Sequence, residues 1–287
     1  MMTKKYYGIA LLAFVALMAL MYGGSVIISF EVAMGGLLIA GERGIDMGYN
    51  FLMDNPNFFS ILIYLIPTAV MLPWYYFAFV EKRGGRQAFY AHTRRLSPIC
   101  FVWVAVLTFA TQHVTALFMT FVDLLAPSVM NDYVELVESS GMASYSILWA
   151  ISTLILPPLL EETVFRGLIL QYLGKTGVRF FVANIIQAVL FGVFHMNIVQ
   201  GIYAFFLGLL LGYLAYRYDS ILVPMAMHLF YNLFGTALTD IETRLLPDFI
   251  QGMLVLGSVP LLVVVLVAIH FRFGEKKITV REGDHTA

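Results

Sequence analysis

Charge is scarce in this chain. Of its 287 residues only 12% are charged, against about 25% in an ordinary soluble domain, which leaves too few charges to clothe a water-facing surface. Because 60% of the residues are hydrophobic and 15% aromatic, the apolar excess must face lipid, and a single integral membrane domain over residues 1–287 is expected. The formal net charge of −1 implies no polyanionic partner such as nucleic acid. Cysteine is scarcer still. Cys100 stands alone, which rules out an intrachain disulfide and any cysteine-based zinc cluster, and its place at the start of an apolar run makes it a lipid-facing or packing residue. Long repeats and low-complexity tracts are absent, as is any soluble appendage beyond the basic tail after Arg272.

Apolar runs are what the chain has in abundance. Eight spans are expected, near 7–28, 58–80, 98–125, 145–172, 180–196, 199–217, 220–238 and 250–271. The uncharged stretch from Gly8 to Ile28 is 21 residues long. That exceeds the roughly 7–15 residues of a secretory h-region, so it reads as an anchor rather than a cleaved signal. With a cytoplasmic N-terminus, fifteen lysines and arginines, from Lys4 and Lys5 through Lys82, Arg95, Arg179 and Arg217 to Lys276, Lys277 and Arg281, fall inside, and only Arg43 and Arg244 outside. This bias supports an all-α polytopic bundle in the cell membrane with both termini cytoplasmic. Residues 128–144 carry Asp132, Glu135 and Glu138 among Val129, Met130, Val134, Leu136 and Val137, the pattern of an amphipathic helix lying at the outer surface as a connector or lid. Gly201, Gly208 and Gly212 give the sixth span a small-residue face for close helix packing.

An ionisable side chain near mid-bilayer costs roughly 2.5–3.5 kcal/mol, so those inside spans are candidates for function. Glu31, His92, His270 and His285 lie at span ends, in loops or in the tail, where water accounts for them. His113, beside Thr111 and Gln112, is within the third span and is expected to make interhelical hydrogen bonds. The remainder gathers in spans four, five and seven. Glu162 and Arg166 are four apart in the favourable order for an ion pair, which leaves Glu161, about 100° around the helix, available. Pro157 and Pro158 free carbonyls one turn earlier, which only protein or a wet cavity can satisfy. Phe191 and His195, like His228 and Asn232, are four apart and share a helix face.

No His-Glu-x-x-His helix and no Gly-x-Ser-x-Gly elbow is present, and Ser25 has no histidine on its span to activate it. Water is the remaining nucleophile, and the inventory suits amide hydrolysis by either of two mechanisms. Glu161 and His195 can activate water while His228 and Asn232 stabilise the oxyanion. Alternatively, Glu161, His195 and His228 can bind Zn2+, which acidifies its water, with Asn232 a poor ligand better suited to oxyanion donation. A non-catalytic scaffold or transporter, using the same groups for packing or proton binding, is the rival reading.

The order Glu161-Glu162-x-x-x-Arg166, Phe191-x-x-x-His195 and His228-x-x-x-Asn232 over residues 157–232 resembles the CPBP family, the CAAX proteases and bacteriocin-processing proteins. The resemblance implies an eight-helix bundle with its site open toward the cytoplasm, and proteolysis of membrane-associated peptides or lipidated proteins, or a part in bacteriocin processing or self-immunity. It further implies Glu161 as the activating carboxylate, Glu162 as its support, His195 as the partner of water, and His228 with Asn232 as oxyanion donors. Depth is the point of strain. A simple span from Arg179 would carry His195 about 22 Å, toward the outer face. The fifth helix is therefore expected to begin outside the hydrocarbon, with Asn184 and Gln187 wet. A His195 more than about 12 Å from both Glu161 and His228 would dismantle the site.

Overall fold

A computed structural model of the chain describes residues 4–142 and 145–272. Lys276, Lys277, Arg281 and His285 lie outside the described residues, as do the side chains of His92 and Arg272. Eleven helices and no strand form the described residues: α1 (Lys4–Ala40), α2 (Glu42–Asp54), α3 (Pro56–Arg83), α4 (Arg86–Thr93), α5 (Pro98–Leu125), α6 (Pro127–Ser139), α7 (Ile147–Gly174), α8 (Phe180–Phe194), α9 (Ile198–Tyr218), α10 (222–245) and α11 (Asp248–Arg272). The expected polytopic helical bundle is what the chain forms.

Six of these helices, α1, α3, α5, α7, α9 and α11, are long and apolar enough to cross a membrane. The two further expected spans, five and seven, are α8 and α10, and neither is in that class. Only 15 residues long, α8 reaches about 22 Å of the roughly 30 Å hydrocarbon core. His228, Asn232 and the charged turn around Asp240 and Glu242 dilute the apolar character of α10. Both nevertheless run between the same two ends as their neighbours. Tyr6 at the start of α1 stacks on Tyr172 at the end of α7, Arg83 at the end of α3 donates to Gln171, Phe180 opening α8 stacks on Tyr216 closing α9, and Arg217 donates to the His270 carbonyl near the end of α11. At the opposite end, Asn57 opening α3 donates to Gly141 after α6, and Tyr133 of α6 meets Tyr203 early in α9.

The first helix is much longer than its expected span. At 37 residues it reaches about 55 Å, past the bilayer core, and Gly41, with φ of 62°, turns the chain so that α2 folds back along it. Gly36 and Gly44 are in backbone contact across this hairpin, where a Cβ on either would collide with the other's carbonyl. Residues 32–40 are apolar and so continue the helix, but α2 covers part of their surface.

The central helix is α7, the most buried of the six. Leu160, Val164, Phe165, Leu168 and Ile169 are all in the core, whereas Leu38, Leu125, Ile147 and Phe271 stand exposed on the outside, as a lipid-facing surface requires. Cys100 is fully buried in packing.

Candidate active site

The prolines set the shape of α7. Wide i→i+5 turns run over Ala150–Ile155 and Thr163–Ile169, with an α-helical segment, Leu156–Glu162, between them. Such turns recur at functional sites because they redirect side chains without ending the helix. Neither Pro157 nor Pro158 has an N–H to return to the Thr153 carbonyl, and Asn232 of α10 supplies the missing donor from Nδ2 at 2.8 Å. The expectation that the proline pair needs outside satisfaction is met by a side chain 79 residues away.

The two carboxylates are separated in role by their partners. Glu162, fully buried, accepts from Arg166 Nη1 at 2.9 Å and from His228 Nδ1 at 2.9 Å, both at Oε1. The expected Glu162–Arg166 pair is present, and Arg166 also donates to the Gly208 carbonyl at 3.2 Å. Among the described residues, Glu161 pairs with no arginine or lysine. It accepts from the Tyr64 hydroxyl at 3.0 Å, and its Oε2 lies 3.8 Å from His228 Nε2 with no hydrogen-bond donor among the described residues. Sequence reasoning missed Tyr64. The only signal was general: a phenol on a membrane helix needs a partner for its hydroxyl.

His195 ends α8. Its Nδ1 is 2.8 Å from the Phe191 carbonyl, and a carbonyl only accepts, so Nδ1 carries the proton and the neutral ring keeps its lone pair at Nε2. Met196, with φ of 53°, turns the chain, and Asn197 caps α9 by accepting from the Gln200 N–H at 3.0 Å. The Phe191 ring stands between the imidazoles, its centroid 4.9 Å from His195 and 5.9 Å from His228, and the Arg166 guanidinium lies over it at 4.5 Å. The two ring distances together bound the imidazole separation at about 11 Å, inside the limit the depth argument set.

Glu161, His195, His228 and Asn232 line one cavity of about 800 Å³, together with Phe191 and Tyr64, while Glu162 and Arg166 stand behind it. His113 reaches the same cavity, its Nε2 3.3 Å from Glu242 Oε2 on α10, an interhelical contact that faces the site, while its Nδ1 is bonded within α5 to the Phe109 carbonyl at 2.9 Å. Tyr133, Val134, Val137 and Glu138 of α6 form its roof. At the rim, outside the spans, the Tyr145 hydroxyl donates to Asp240 at 2.7 Å. Loss of water, and then the Asp240 carboxylate, push this phenol up to about 12. It therefore stays a donor throughout the physiological range.

One expectation is corrected. Asn184 and Gln187 are buried rather than wet, because Gly208 and Gly212 leave the α9 backbone bare. Asn184 donates to the Leu209 carbonyl at 3.0 Å and Gln187 to the Gly208 carbonyl at 2.9 Å. A Cβ on Gly212 would collide with Asn184 Oδ1. The small-residue face of α9 thus admits amide groups as well as close packing.

Residues 143–234 match the family of Type II CAAX prenyl endopeptidase, Rce1-like proteins, over about a third of the chain. This stretch resembles the Rce1-like domain. It is consistent with a CPBP family intramembrane protease and supports an intramembrane endopeptidase at the level of the family. The matched stretch begins before the proline pair and ends just after Asn232, so it takes in Thr153 and all three motifs, while Tyr64, His113 and α6 come from outside it. No curated protein and no solved structure matches the chain. Among the described residues, no three His, Cys, Asp or Glu side chains converge as a metal site requires. Glu161, His195 and His228 share a cavity without forming such a set.

Proposed function

We propose that the chain hydrolyses peptide bonds of membrane-associated polypeptides by water that Glu161 and His195 activate. The observation that carries this reading is the division of the adjacent carboxylates: Glu162 is held by Arg166 and His228, while Glu161 presents an unpartnered Oε2 to the cavity that His195 also lines. Water held between Glu161 Oε2 and His195 Nε2 attacks the scissile carbonyl carbon. Its proton passes to Glu161 and from there to the departing amine, so the carboxylate ends as it began. Tyr64 holds the other oxygen of Glu161 and fixes its plane. His228, anchored through Nδ1 to Glu162, directs Nε2 toward the reacting centre, and in its imidazolium form donates there to the oxyanion. Asn232 has one Nδ2 hydrogen committed to Thr153 and a second for the same oxyanion.

These steps use only the chain's own groups. The test is hydrolysis of lipidated and unlipidated peptides by purified protein, with and without chelator, alongside Glu161→Gln and His195→Ala. Chelator-resistant cleavage that both substitutions abolish is the expected result. Cleavage that survives Glu161→Gln refutes the mechanism, and cleavage of neither peptide class by protein with a normal unfolding transition refutes the hydrolase reading in favour of a scaffold or transporter.

A further inference from the structure

The site and the termini lie at opposite ends of the bundle. The starts of α1, α5 and α8 and the ends of α3, α7, α9 and α11 meet at one end, as the contacts of Tyr6 with Tyr172, Arg83 with Gln171 and Phe180 with Tyr216 establish. The cavity is lined from mid-depth toward the other end: the first turns of α3 and α9, the last half of α5, α6, α7 from Ser152 to Glu161, the end of α8, α10 from His228 onward and the opening of α11. Beneath it Phe165, Arg166, Leu168 and Ile169 are fully buried and close the bundle toward the terminal end. Cytoplasmic termini and a cytoplasmic mouth therefore exclude each other.

Charge decides between them. Ten lysines and arginines with described side chains, including Lys4, Lys82, Arg95 and Arg179, gather at the terminal end, against Arg43 and Arg244 at the mouth end, and the basic end is the cytoplasmic one. The mouth end carries ten acidic residues, from Glu42 on α2 to Asp248 on α11. Two of them, Glu138 and Glu242, line the cavity itself. Asp132, Glu135 and Glu138 on α6 are exposed. Deeper in, the walls turn apolar at Met119 and Leu207 before reaching the unpartnered Glu161 oxygen. An acidic rim over a low-dielectric cleft concentrates cations and repels anions.

We infer that the site is entered from the non-cytoplasmic side and takes a cationic polypeptide segment, one whose apolar residue reaches the carboxylate while flanking lysines or arginines stay at the rim. The inference rests on the protease reading for its chemistry but not for its sidedness. A cytosolic lipidated protein would meet the closed, basic end.

The experiment has two arms. In cells expressing the full chain with Cys100→Ala, Glu138→Cys and Lys82→Cys are treated with a membrane-impermeant maleimide. Labelling of Glu138→Cys in intact cells, and of Lys82→Cys only after lysis, is expected; the reverse pattern overturns the inference. In the second arm, purified protein is given peptides with one apolar core flanked by lysine or by aspartate. A KM at least tenfold lower for the lysine peptide is expected. High salt and the combined Asp132→Asn, Glu135→Gln, Glu138→Gln substitution should erase that preference, and equal KM values overturn the cationic specificity. Absence of all cleavage together with the expected labelling would strike the hydrolase reading while upholding the sidedness.

Discussion

Two neighbouring glutamates with different partners should fail in different ways when each is made neutral. Glu162→Gln keeps the shape of the side chain but removes its charge. The amide oxygen can take the place of Oε1, to which Arg166 and His228 both donate at 2.9 Å, but it carries no charge. The guanidinium, only 1% exposed, is left without a counter-charge, and breaking a buried pair in this way costs about 3–5 kcal/mol. At about 2–4 °C per kcal/mol for a chain of this size, the unfolding midpoint should fall by on the order of 10 °C. Glu161→Gln keeps the Tyr64 bond, because an amide oxygen also accepts, and unpairs no lysine or arginine, so its cost should stay below about 1 kcal/mol while hydrolysis is lost. Thermal unfolding in detergent, followed beside peptide cleavage, reads both quantities. A second substitution sharpens the comparison: Arg166→Met in the Glu162→Gln background removes the stranded cation and should recover about 2 kcal/mol. Equal stability of the two single variants, or no recovery in the double one, would refute the assignment of Glu162 as the anchored carboxylate.

Tyr64→Phe removes a charge-assisted hydrogen bond worth about 1.5–3 kcal/mol, so kcat should fall by about tenfold to a hundredfold with KM little changed, which steady-state kinetics can check. Asn232→Ala leaves the Thr153 carbonyl without a donor and should cost about 1–3 kcal/mol of stability as well as activity; Asn232→Gln, whose longer amide misses Thr153, should not rescue it. Gly212→Ala must displace Asn184 and Gln187 and should lower stability by about 1–3 kcal/mol while leaving the KM of the surviving folded enzyme unchanged.

Much of this architecture could be read from local spacing. Glu162 and Arg166 lie on one helix four residues apart, so their pairing needs no knowledge of the rest of the fold. Phe191 with His195, and His228 with Asn232, obey the same rule, and the proline pair announces a carbonyl that another element must satisfy. What spacing cannot reveal is which element does so. Thr153 with Asn232, Tyr64 with Glu161 and His113 with Glu242 join different helices, and an apolar run carries no mark of its rotation about its own axis. Burial of Asn184 and Gln187 escaped for a related reason: an amide beside a bare glycine backbone is as well satisfied as one in water. The extra length of α1 escaped because α2, not lipid, receives Gly36.

The repair of α7 by Asn232 also orders events during synthesis. Helices leave the ribosome in sequence, and α7 is made well before α10. Until α10 docks, the Thr153 carbonyl has no donor, and an unsatisfied backbone group in hydrocarbon costs several kcal/mol. The first turns of α7 therefore complete their hydrogen bonding only on arrival of the helix that also brings His228 to Glu162. A nascent or truncated chain would hold its glutamates in an unfinished helix, so the hydrolytic apparatus assembles last, when the membrane domain around it is nearly closed.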